Sequence, residues 1–322
     1  MNTFHVLANN PDKLSALRDR SHMLAQARLF FSERGVLEVD CPLITQAASV
    51  DAHIDLITVK NLGEQRYLHS SPEYGMKRLI ADGIGDIYQL AHVFREGELS
   101  QKHNPEFMMA EWYRLGFSFE AMIAETVDFV RLFVGHIPHH VISYRDAFKT
   151  FIGIDYVHAT CQDLIAYLYS RGLQPYPGIE AEGKDAILNI ILGSFIEPLL
   201  GEHELCVLAF YPSTQAALAK TYQRDEEKVA ERFEIYYKGI ELANGYHELA
   251  DALEQRKRLV EANSHRRELG KAELPIDEHF LQALTKGLPD CCGVAVGFDR
   301  LMMLRLGHSH IGNVIPFYWP LA

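Results

Sequence analysis

The sequence predicts an α+β fold, with a mainly antiparallel sheet flanked by helices. Residues 86–94 and 107–117 are two apolar stretches separated by a polar loop, which is the pattern of neighbouring strands. Further strand signals occur at 205–210 and 233–242, and apolar residues recur at helical spacing over 123–134. Strands in consecutive, hairpin-like positions with helices outside them are typical of α+β domains.

A helix and a short strand precede this pair of strands. Residues 11–34 are predicted to be helical because apolar residues recur on one face, and Gly35 follows as a plausible C-terminal cap. The residues on that face are Leu17, Leu24, Ala27 and Phe31. Residues 36–42 are predicted to be a short strand that stops at a proline.

The second half of the chain alternates helices and strands. A turn-rich segment at 172–183 lies between helical stretches, so we expect 150–200 to be a helical insertion and not a separate domain. A charged helix at 251–269 and a strand-to-helix unit at 293–306 complete the pattern. We therefore expect a single domain over residues 1–322.

Composition excludes several classes of function. The chain is 48% hydrophobic with a formal net charge of −12, so it is globular but lacks the basic surface that general nucleic-acid binding requires. Its five cysteines include no C-x-x-C pair, which indicates free thiols in a reducing compartment. The 16 histidines lack a ligand set at zinc spacing.

No segment indicates export or membrane insertion. Residues 1–10 are polar and lack the apolar core of a signal peptide. The longest apolar stretch, 187–200, is interrupted by polar residues and falls short of the roughly 20 residues that a membrane span requires. We therefore expect a cytoplasmic protein without a membrane partner.

Two arginines stand in dense polar motifs. Arg95 follows the strand at 86–94, and Arg300 ends the run 293–300. A guanidinium is permanently charged and its fork fits phosphate oxygens, whereas the sequence contains neither of the glycine-rich phosphate loops. Phe107 offers a stacking face near Arg95, so these motifs predict a nucleotide site. The alternative for Arg95 taken alone is a solvated loop arginine.

Three glutamates lie within a half-apolar stretch. Glu234 and Glu241 are seven positions apart, so a regular strand would separate their faces, and we expect Gly239 to mark a bulge that brings them together. Carboxylates and substrate phosphates are the usual ligands of Mg²⁺ in nucleotide sites. The alternative, a solvated acidic face that also includes Glu248, fits poorly with the neighbouring leucines.

Two further motifs are candidates for binding an ammonium group. Glu73 follows Pro72 at the start of a predicted helix, where a carboxylate either complements the helix dipole or recognises a cation. Glu111 and Tyr113 face the same side of a strand and suit a cationic side chain, unless they form a surface pair at a sheet edge.

Taken together, these motifs resemble the class II aminoacyl-tRNA synthetases over residues 12–306. The resemblance is close to the catalytic core of lysyl-tRNA synthetase, and closer still to its truncated paralogue, the elongation factor P lysine ligase family. Its markers are residues 35–42 (motif 1), 71–74, 94–114 (motif 2), 241–249 and 293–300 (motif 3).

The resemblance implies a role for each candidate residue. Arg95 would hold the α-phosphate, and Arg300 would cover the adenine and reach the terminal phosphate, so these two are the catalytic candidates. The implied ATP-binding set is Arg95, Glu96, Gly97, Glu98, His103, Asn104, Phe107, Glu241, Leu242, Gly297 and Arg300. Glu234 and Glu241 would hold Mg²⁺. The implied substrate-binding set is Ser71, Pro72, Glu73, Glu111, Tyr113, Asn244, Glu248 and Ala295.

Three departures from lysyl-tRNA synthetases bear on the acceptor and the amino acid. Only a short helix precedes motif 1, so we expect no anticodon-binding OB domain and do not expect tRNA to be the acceptor. Ala295 stands where those enzymes have glycine, and its methyl group suits a β-amino acid. In motif 2 the carboxylate after Arg95 is displaced by one position, to Glu98.

The resemblance implies ATP-dependent activation of lysine or (R)-β-lysine as an aminoacyl-adenylate, and its transfer to a lysine side chain of elongation factor P. It also implies a single catalytic domain and a homodimer formed through motif 1. Two alternatives stay open: a tRNA- or metabolite-directed enzyme on the same core, and a catalytically silent paralogue that only binds partners.

Overall fold

The computed structural model describes residues 11–322. These residues divide into two compact units, one formed by residues 11–136 and 249–322 and the other by residues 137–248. Helices α1–α10 and strands β1–β12 are numbered in chain order across both units.

In the first unit, helices accompany two groups of strands. The helices are α1 (Pro11–Ser32), α2 (Glu73–Ala81), α3 (Phe119–Val134), α8 (Ala252–Glu268), α9 (Glu278–Gly287) and α10 (Phe298–Leu306). The strands are β1 (Leu37–Glu38), β2 (Ile44–Thr45), β3 (Thr58–Asn61), β4 (Glu64–Leu68), β5 (Ile87–Phe94), β6 (Glu106–Leu115) and β12 (Cys291–Gly297). The larger group runs in the order β1-β5-β6-β12, and the smaller in the order β2-β4-β3.

The hairpin of β5 and β6 is the centre of the larger group. The two strands pair antiparallel from Ile87 opposite Tyr113 to Phe94 opposite Glu106, and β12 continues the antiparallel pairing on the far side of β6. Strand β1 adds a parallel pair, to β5. Residues 95–105 connect the two long strands, so side chains in this loop emerge at a fixed edge of the sheet.

An aromatic cluster joins α1 and α3 to one face of this hairpin. Phe31 is fully buried, and its ring centroid lies 4.1 Å from that of Tyr88 and 5.2 Å from that of Trp112. Phe129 on α3 packs against the same rings. Because large buried aromatic side chains contribute strongly to the stability of a core, this face of the sheet forms part of the hydrophobic core. The opposite face carries Glu111 and Tyr113, whose side chains are also buried.

In the second unit, helices precede and cover a group of mainly antiparallel strands. The helices are α4 (Tyr144–Ile152), α5 (Cys161–Ser170), α6 (Ile179–Glu182) and α7 (Lys184–Ile191), followed by a π-helical turn (Leu192–Ile196) and a 3₁₀ turn (Glu197–Leu199). The strands are β7 (His139–Ser143), β8 (Leu205–Pro212), β9 (Thr221–Arg224), β10 (Glu227–Tyr237) and β11 (Ile240–His247). Strand β10 pairs antiparallel with β8, β9 and β11, and β7 pairs parallel with β8.

The predicted α+β class is confirmed, with most elements near their expected positions. The predicted insertion at 150–200 carries α5–α7 inside the second unit, and the single catalytic domain stays a prediction. Among residues 11–322, no helix combines the length and apolar composition that crossing a bilayer requires.

The predicted strand at 233–242 is wrong. Residues 238 and 239 form a two-residue turn between β10 and β11, with left-handed φ values of 51° at Lys238 and 66° at Gly239. Such turns match the twist of the strands they connect and require positive φ at both central residues. The apolar alternation on both sides of Gly239 therefore belongs to a hairpin, which a single-strand interpretation missed.

A matched pair of glycine variants tests the packing of the second unit. Gly201 (φ 71°) and Gly153 (φ 75°) share a left-handed backbone, but a Cβ at 201 would lie 2.5 Å from the Tyr236 carbonyl oxygen, whereas one at 153 would meet nothing within 4 Å. Gly153→Ala should cost about 1–2 kcal/mol of unfolding free energy. Gly201→Ala should cost about 1–3 kcal/mol more, because the neighbouring backbone must move. Equal losses in urea unfolding would contradict this packing.

Candidate active site

The face of the β5–β6 hairpin opposite the aromatic cluster carries candidate ligand-binding side chains. Alternate residues of a strand share a face, so Phe107, Glu111 and Tyr113 point to the same side of β6. Across the sheet, Ala295 of β12 lies directly opposite Glu111, and Gly297 lies opposite Met109. These small residues add little volume above the sheet beside the longer side chains of β6.

Glu111 is a buried carboxylate held by two hydroxyl groups. Ser71 Oγ donates to Oε2 and the Tyr113 hydroxyl donates to Oε1, both at 2.7 Å. Burial and the nearby charge of Glu73 raise the pKa of Glu111 to about 8, although the two hydroxyl donors and Lys77 oppose the rise. The structure thus brings together Ser71, Glu111 and Tyr113 from the predicted substrate-binding set.

Glu73 begins α2 and is paired inside the protein. Its Oε1 accepts a hydrogen bond of 2.6 Å from the ammonium group of Lys77, one helical turn later, and Lys77 is 1% exposed. That ammonium group also lies 5.9 Å from the ring centroids of Tyr113 and Phe280. The sequence analysis missed Lys77, although the i, i+4 spacing of opposite charges on a predicted helix was a usable signal. Binding of a substrate amino group by Glu73 stays a prediction.

Arg95 leaves the end of β5 with an unused donor. Its guanidinium carbon lies 5.1 Å from the ring centroid of Phe107, and its Nη1 lies 3.7 Å from Glu98 Oε1. The Nε atom is buried and has no hydrogen-bond partner among residues 11–322. Buried donors on charged groups are normally satisfied, so this guanidinium fits an anionic ligand such as a phosphate. The displaced carboxylate of motif 2, Glu98, does face Arg95.

Arg300, on the first turn of α10, meets His103 from the loop after β5. Its Nη2 lies 2.6 Å from His103 Nε2, and His103 Nδ1 lies 2.8 Å from Ser100 Oγ. A guanidinium only donates, so Nε2 accepts and Nδ1 carries the proton. Burial and the charge of Arg300 lower the pKa of His103, which is consistent with a neutral ring. Two residues of the predicted nucleotide set are therefore in direct contact.

Asp299 supports this arrangement and was also missed by the sequence analysis. It is 2% exposed, its Oδ2 accepts a 2.8 Å hydrogen bond from the backbone N–H of Met108, and its Oδ1 accepts from the guanidinium of Arg20. These contacts tie the start of α10 to β6 and to α1. The adjacent Arg300 is thereby held at a fixed place beside the sheet.

Asn104 is engaged in internal hydrogen bonds. It is 4% exposed, its amide nitrogen donates to the Glu106 carbonyl at 2.6 Å, and its amide oxygen accepts from the Trp319 N–H at 2.9 Å. The side chain therefore links the loop after β5 to the C-terminal segment. This long-range contact could not be predicted from spacing along the sequence. Its predicted contact with a nucleotide stays a prediction.

In the second unit, a bulge brings the predicted acidic residues to one face. Glu234 pairs with Asn244 across the hairpin, but the register shifts between Ile235 and Tyr236, so that Tyr236 pairs with Glu241. Leu242 is the extra residue, and it moves Glu241 to the face of Glu234. The predicted bulge therefore exists at Leu242, while Gly239 belongs to the turn.

The carboxylate of Glu234 already accepts three hydrogen bonds. Oε1 accepts from Arg232 at 2.5 Å, and Oε2 accepts from the hydroxyls of Tyr211 at 2.6 Å and Tyr236 at 2.5 Å. Burial and the charge of Glu234 raise the pKa of both tyrosines well above the usual range. A carboxylate bound by a guanidinium and two hydroxyls fits poorly as a direct ligand of Mg²⁺, whereas the role predicted for Glu241 is unaffected.

The remaining predicted residues of this unit lie on or next to β11. Leu242 and Glu248 are each 2% exposed. The amide oxygen of Asn244 is buried without a hydrogen-bond partner among the described residues. A buried acceptor without a partner fits a ligand that carries N–H groups. A substrate carboxylate would instead need the N–H groups of the amide, so the contact predicted for Asn244 with the carboxylate end of the substrate stays a prediction.

Comparison with known proteins now gives these motifs a context. Residues 1–319 match the family model for tRNA synthetases class II (D, K and N). The chain belongs to the class II tRNA synthetase family.

Several relatives within this class II family are similar to the chain over nearly its whole length. A protein of Haemophilus influenzae (strain PittGG) is 42% identical over 94% of each chain. A protein of Avibacterium paragallinarum is 41% identical over 94% of this chain and 95% of its own, and a protein of Vibrio vulnificus (strain YJ016) is 40% identical over 96% and 97%. Each is named elongation factor P–(R)-β-lysine ligase.

The class II motifs correspond to the elements that carry the site in the first unit. Residues 35–42, predicted as motif 1, include β1. Residues 94–114, predicted as motif 2, run from the end of β5 through the loop into β6, and residues 293–300, predicted as motif 3, run from β12 into the first turn of α10. The Arg95–Phe107 contact belongs to motif 2, and the Arg300–His103 contact joins motif 3 to motif 2.

The raised pKa of Glu111 predicts a pH dependence of stability. Between the ordinary carboxyl value of 4.5 and about 8, the folded protein binds more protons at this site than the unfolded chain, so unfolding free energy falls as pH rises. Glu111→Gln, which cannot titrate, should lose less stability between about pH 5 and about pH 8. Urea unfolding at several pH values measures both slopes. The exposed Glu120→Gln should keep the wild-type slope, and equal slopes for all three proteins would contradict the prediction.

Proposed function

We propose that this protein is an ATP-dependent ligase that activates lysine or (R)-β-lysine and transfers it to a lysine side chain of elongation factor P. The observation that carries the proposal is the buried acidic cluster of Glu111 and Glu73 in the same unit as Arg95, whose buried Nε donor has no hydrogen-bond partner among residues 11–322. The choice of acceptor is supported by relatives of similar length, which are named elongation factor P–(R)-β-lysine ligase.

The first step is formation of an aminoacyl-adenylate. An oxygen of the amino acid carboxylate attacks the α-phosphorus of ATP, and the bond to the bridging oxygen breaks to release pyrophosphate. Arg95 would stabilise the negative charge that develops on the α-phosphate, and Phe107 would stack on the adenine. Arg300 would cover the opposite face of the base. Because alignment and charge stabilisation suffice, the reaction requires no nucleophile from the protein.

Mg²⁺, when bound with ATP, would supply charge neutralisation to the phosphates. Glu241 is the residue of the predicted pair that we propose as its ligand. The network of Arg232, Tyr211 and Tyr236 around Glu234 would instead fix the shape of the β10–β11 hairpin.

The acidic cluster would recognise the diamine. Glu111 and Tyr113 would receive the distal ammonium group, and Glu73 would bind the amino group near the carboxylate. Ala295 lies opposite Glu111 across the β6–β12 pair, so its methyl group shapes the floor beside the bound substrate. That position supports a preference for the β-amino acid.

In the second step, the ε-amino group of the acceptor lysine attacks the carbonyl carbon of the adenylate. An amide bond forms, AMP leaves, and the amine loses a proton. We also propose a cytoplasmic homodimer that associates through motif 1. Apolar side chains near that motif support this surface, since Leu37 is 52% exposed and Ile44 is 50% exposed.

Mass spectrometry of elongation factor P tests the acceptor. After incubation with the enzyme, ATP, Mg²⁺ and either amino acid, the factor should gain the mass of one lysyl residue. A factor with its acceptor lysine replaced by arginine should remain unmodified. An unmodified wild-type factor beside aminoacylated tRNA would reject the proposal in favour of a tRNA-directed enzyme.

Amino acid-dependent ATP–pyrophosphate exchange tests the two arginines. Arg95→Met and Arg300→Met should each lower the exchange rate by a factor on the order of 10²–10³, as expected for the loss of a preorganised donor. Arg305→Met is the matched control, since Arg305 lies on the same helix as Arg300 but pairs with Asp19 at the surface. No exchange by the wild type with either amino acid would indicate a catalytically silent protein.

A further inference from the structure

Arg266, near the end of α8, is a buried arginine outside the predicted site. It is 4% exposed, its Nε donates to the Ala272 carbonyl at 2.8 Å, and its two Nη atoms hold residues 51–55. Nη1 donates to the carbonyl oxygens of Asp51 at 2.8 Å and Ile54 at 3.0 Å, and Nη2 donates to Asp55 Oδ1 at 2.9 Å. A planar guanidinium can satisfy three acceptors in this way, whereas a lysine ammonium cannot reproduce the fork.

Asp55 is the point at which this segment is fixed most strongly. Its second carboxylate oxygen accepts a 2.8 Å hydrogen bond from Lys271 Nζ. Burial opposes ionisation, but the hydrogen bonds from Lys271 and Arg266 lower the pKa of Asp55 overall. The aspartate is therefore an ionised anchor for residues 51–55.

The backbone of Asp55 contacts the loop between β5 and β6, residues 95–105. Its carbonyl oxygen accepts a 2.9 Å hydrogen bond from the N–H of Glu96, the residue that directly follows Arg95. The N–H of Arg95 itself donates to the Pro105 carbonyl at 2.9 Å, within the hairpin. The direction in which the chain leaves β5 is thus set on one side by the hairpin and on the other by residues 51–55.

We propose that Arg266 is a positioning residue for ATP binding. It holds residues 51–55 so that the Asp55 carbonyl fixes Glu96 and, through it, the guanidinium of Arg95. The inference rests on the proposed function, because it assumes that Arg95 binds ATP. It adds a residue of α8, distant in sequence from every class II motif, to the determinants of nucleotide affinity.

Pyrophosphate exchange with separate titrations of ATP and lysine tests the inference. Arg266→Met should raise KM for ATP by a factor on the order of 10, equivalent to the loss of about 1.4 kcal/mol of binding. KM for lysine should stay unchanged, because neither Glu111 nor Glu73 takes part in the contacts that link Arg266, Asp55 and Glu96. Arg266→Lys should retain the charge but not the fork and should therefore recover only part of the ATP affinity.

The adjacent Arg267 supplies the matched control. Its side chain is 60% exposed and pairs with Glu273 on the surface, so Arg267→Met should leave both KM values at the wild-type level. A merely structural role for Arg266 would lower kcat through a smaller active fraction and leave both KM values unchanged. That result would overturn the inference.

Asp55→Asn provides a second and milder variant, since the Asp55 side chain is 37% exposed. It should raise KM for ATP in the same direction, which keeps the test decisive if the Arg266 variants do not fold. In the double variant, KM for ATP should rise by less than the product of the two separate increases, because both changes remove the shared Arg266–Asp55 contact. A multiplicative increase would contradict this route.

Absence of exchange in the wild type would overturn the proposed function. Normal exchange with unaltered KM values in the variants would overturn the positioning role alone.

Discussion

The site of the first unit depends on the buried carboxylate of Asp299. A buried charge is tolerated only when it is paired and hydrogen-bonded, and Asp299 finds its partners on two other elements, the guanidinium of Arg20 on α1 and the N–H of Met108 on β6. This requirement fixes α10 against the hairpin and against α1. Arg300 follows Asp299 directly, so the same constraint determines where its guanidinium meets His103.

A second constraint is the charge balance of the acidic cluster. Glu73 and Glu111 are both buried, and Lys77 supplies one internal ammonium group for the two carboxylates. The pKa of Glu111 is raised because burial and Glu73 together outweigh the opposing contribution of Lys77. In the proposed function, an incoming ammonium group would complete the balance, which would give a physical reason for the selection of a diamine. A neutral side chain would leave Glu111 either protonated or unpaired.

The sequence analysis succeeded where short-range periodicity controls the geometry. Glu111 and Tyr113 share a face because alternate residues of any strand do so, and Arg95 lies at the end of β5 because an apolar strand precedes a polar loop. It failed in the region of 233–242, where apolar alternation continues through a tight turn. There the left-handed backbone of two residues, and not the pattern of side chains, separates the strands.

Sequence alone determined the class of fold, the order of the class II motifs and the residue types that we propose for the nucleotide and diamine sites. These follow from local patterns, because helical spacing, strand alternation and short motifs involve neighbours in the chain. The tertiary structure decided which polar groups are already engaged, as Asn104 is by Trp319 and Glu234 is by Arg232. It also revealed Arg266 as an anchor, because hydrogen bonds between distant segments depend on three-dimensional proximity, which no spacing along the chain encodes.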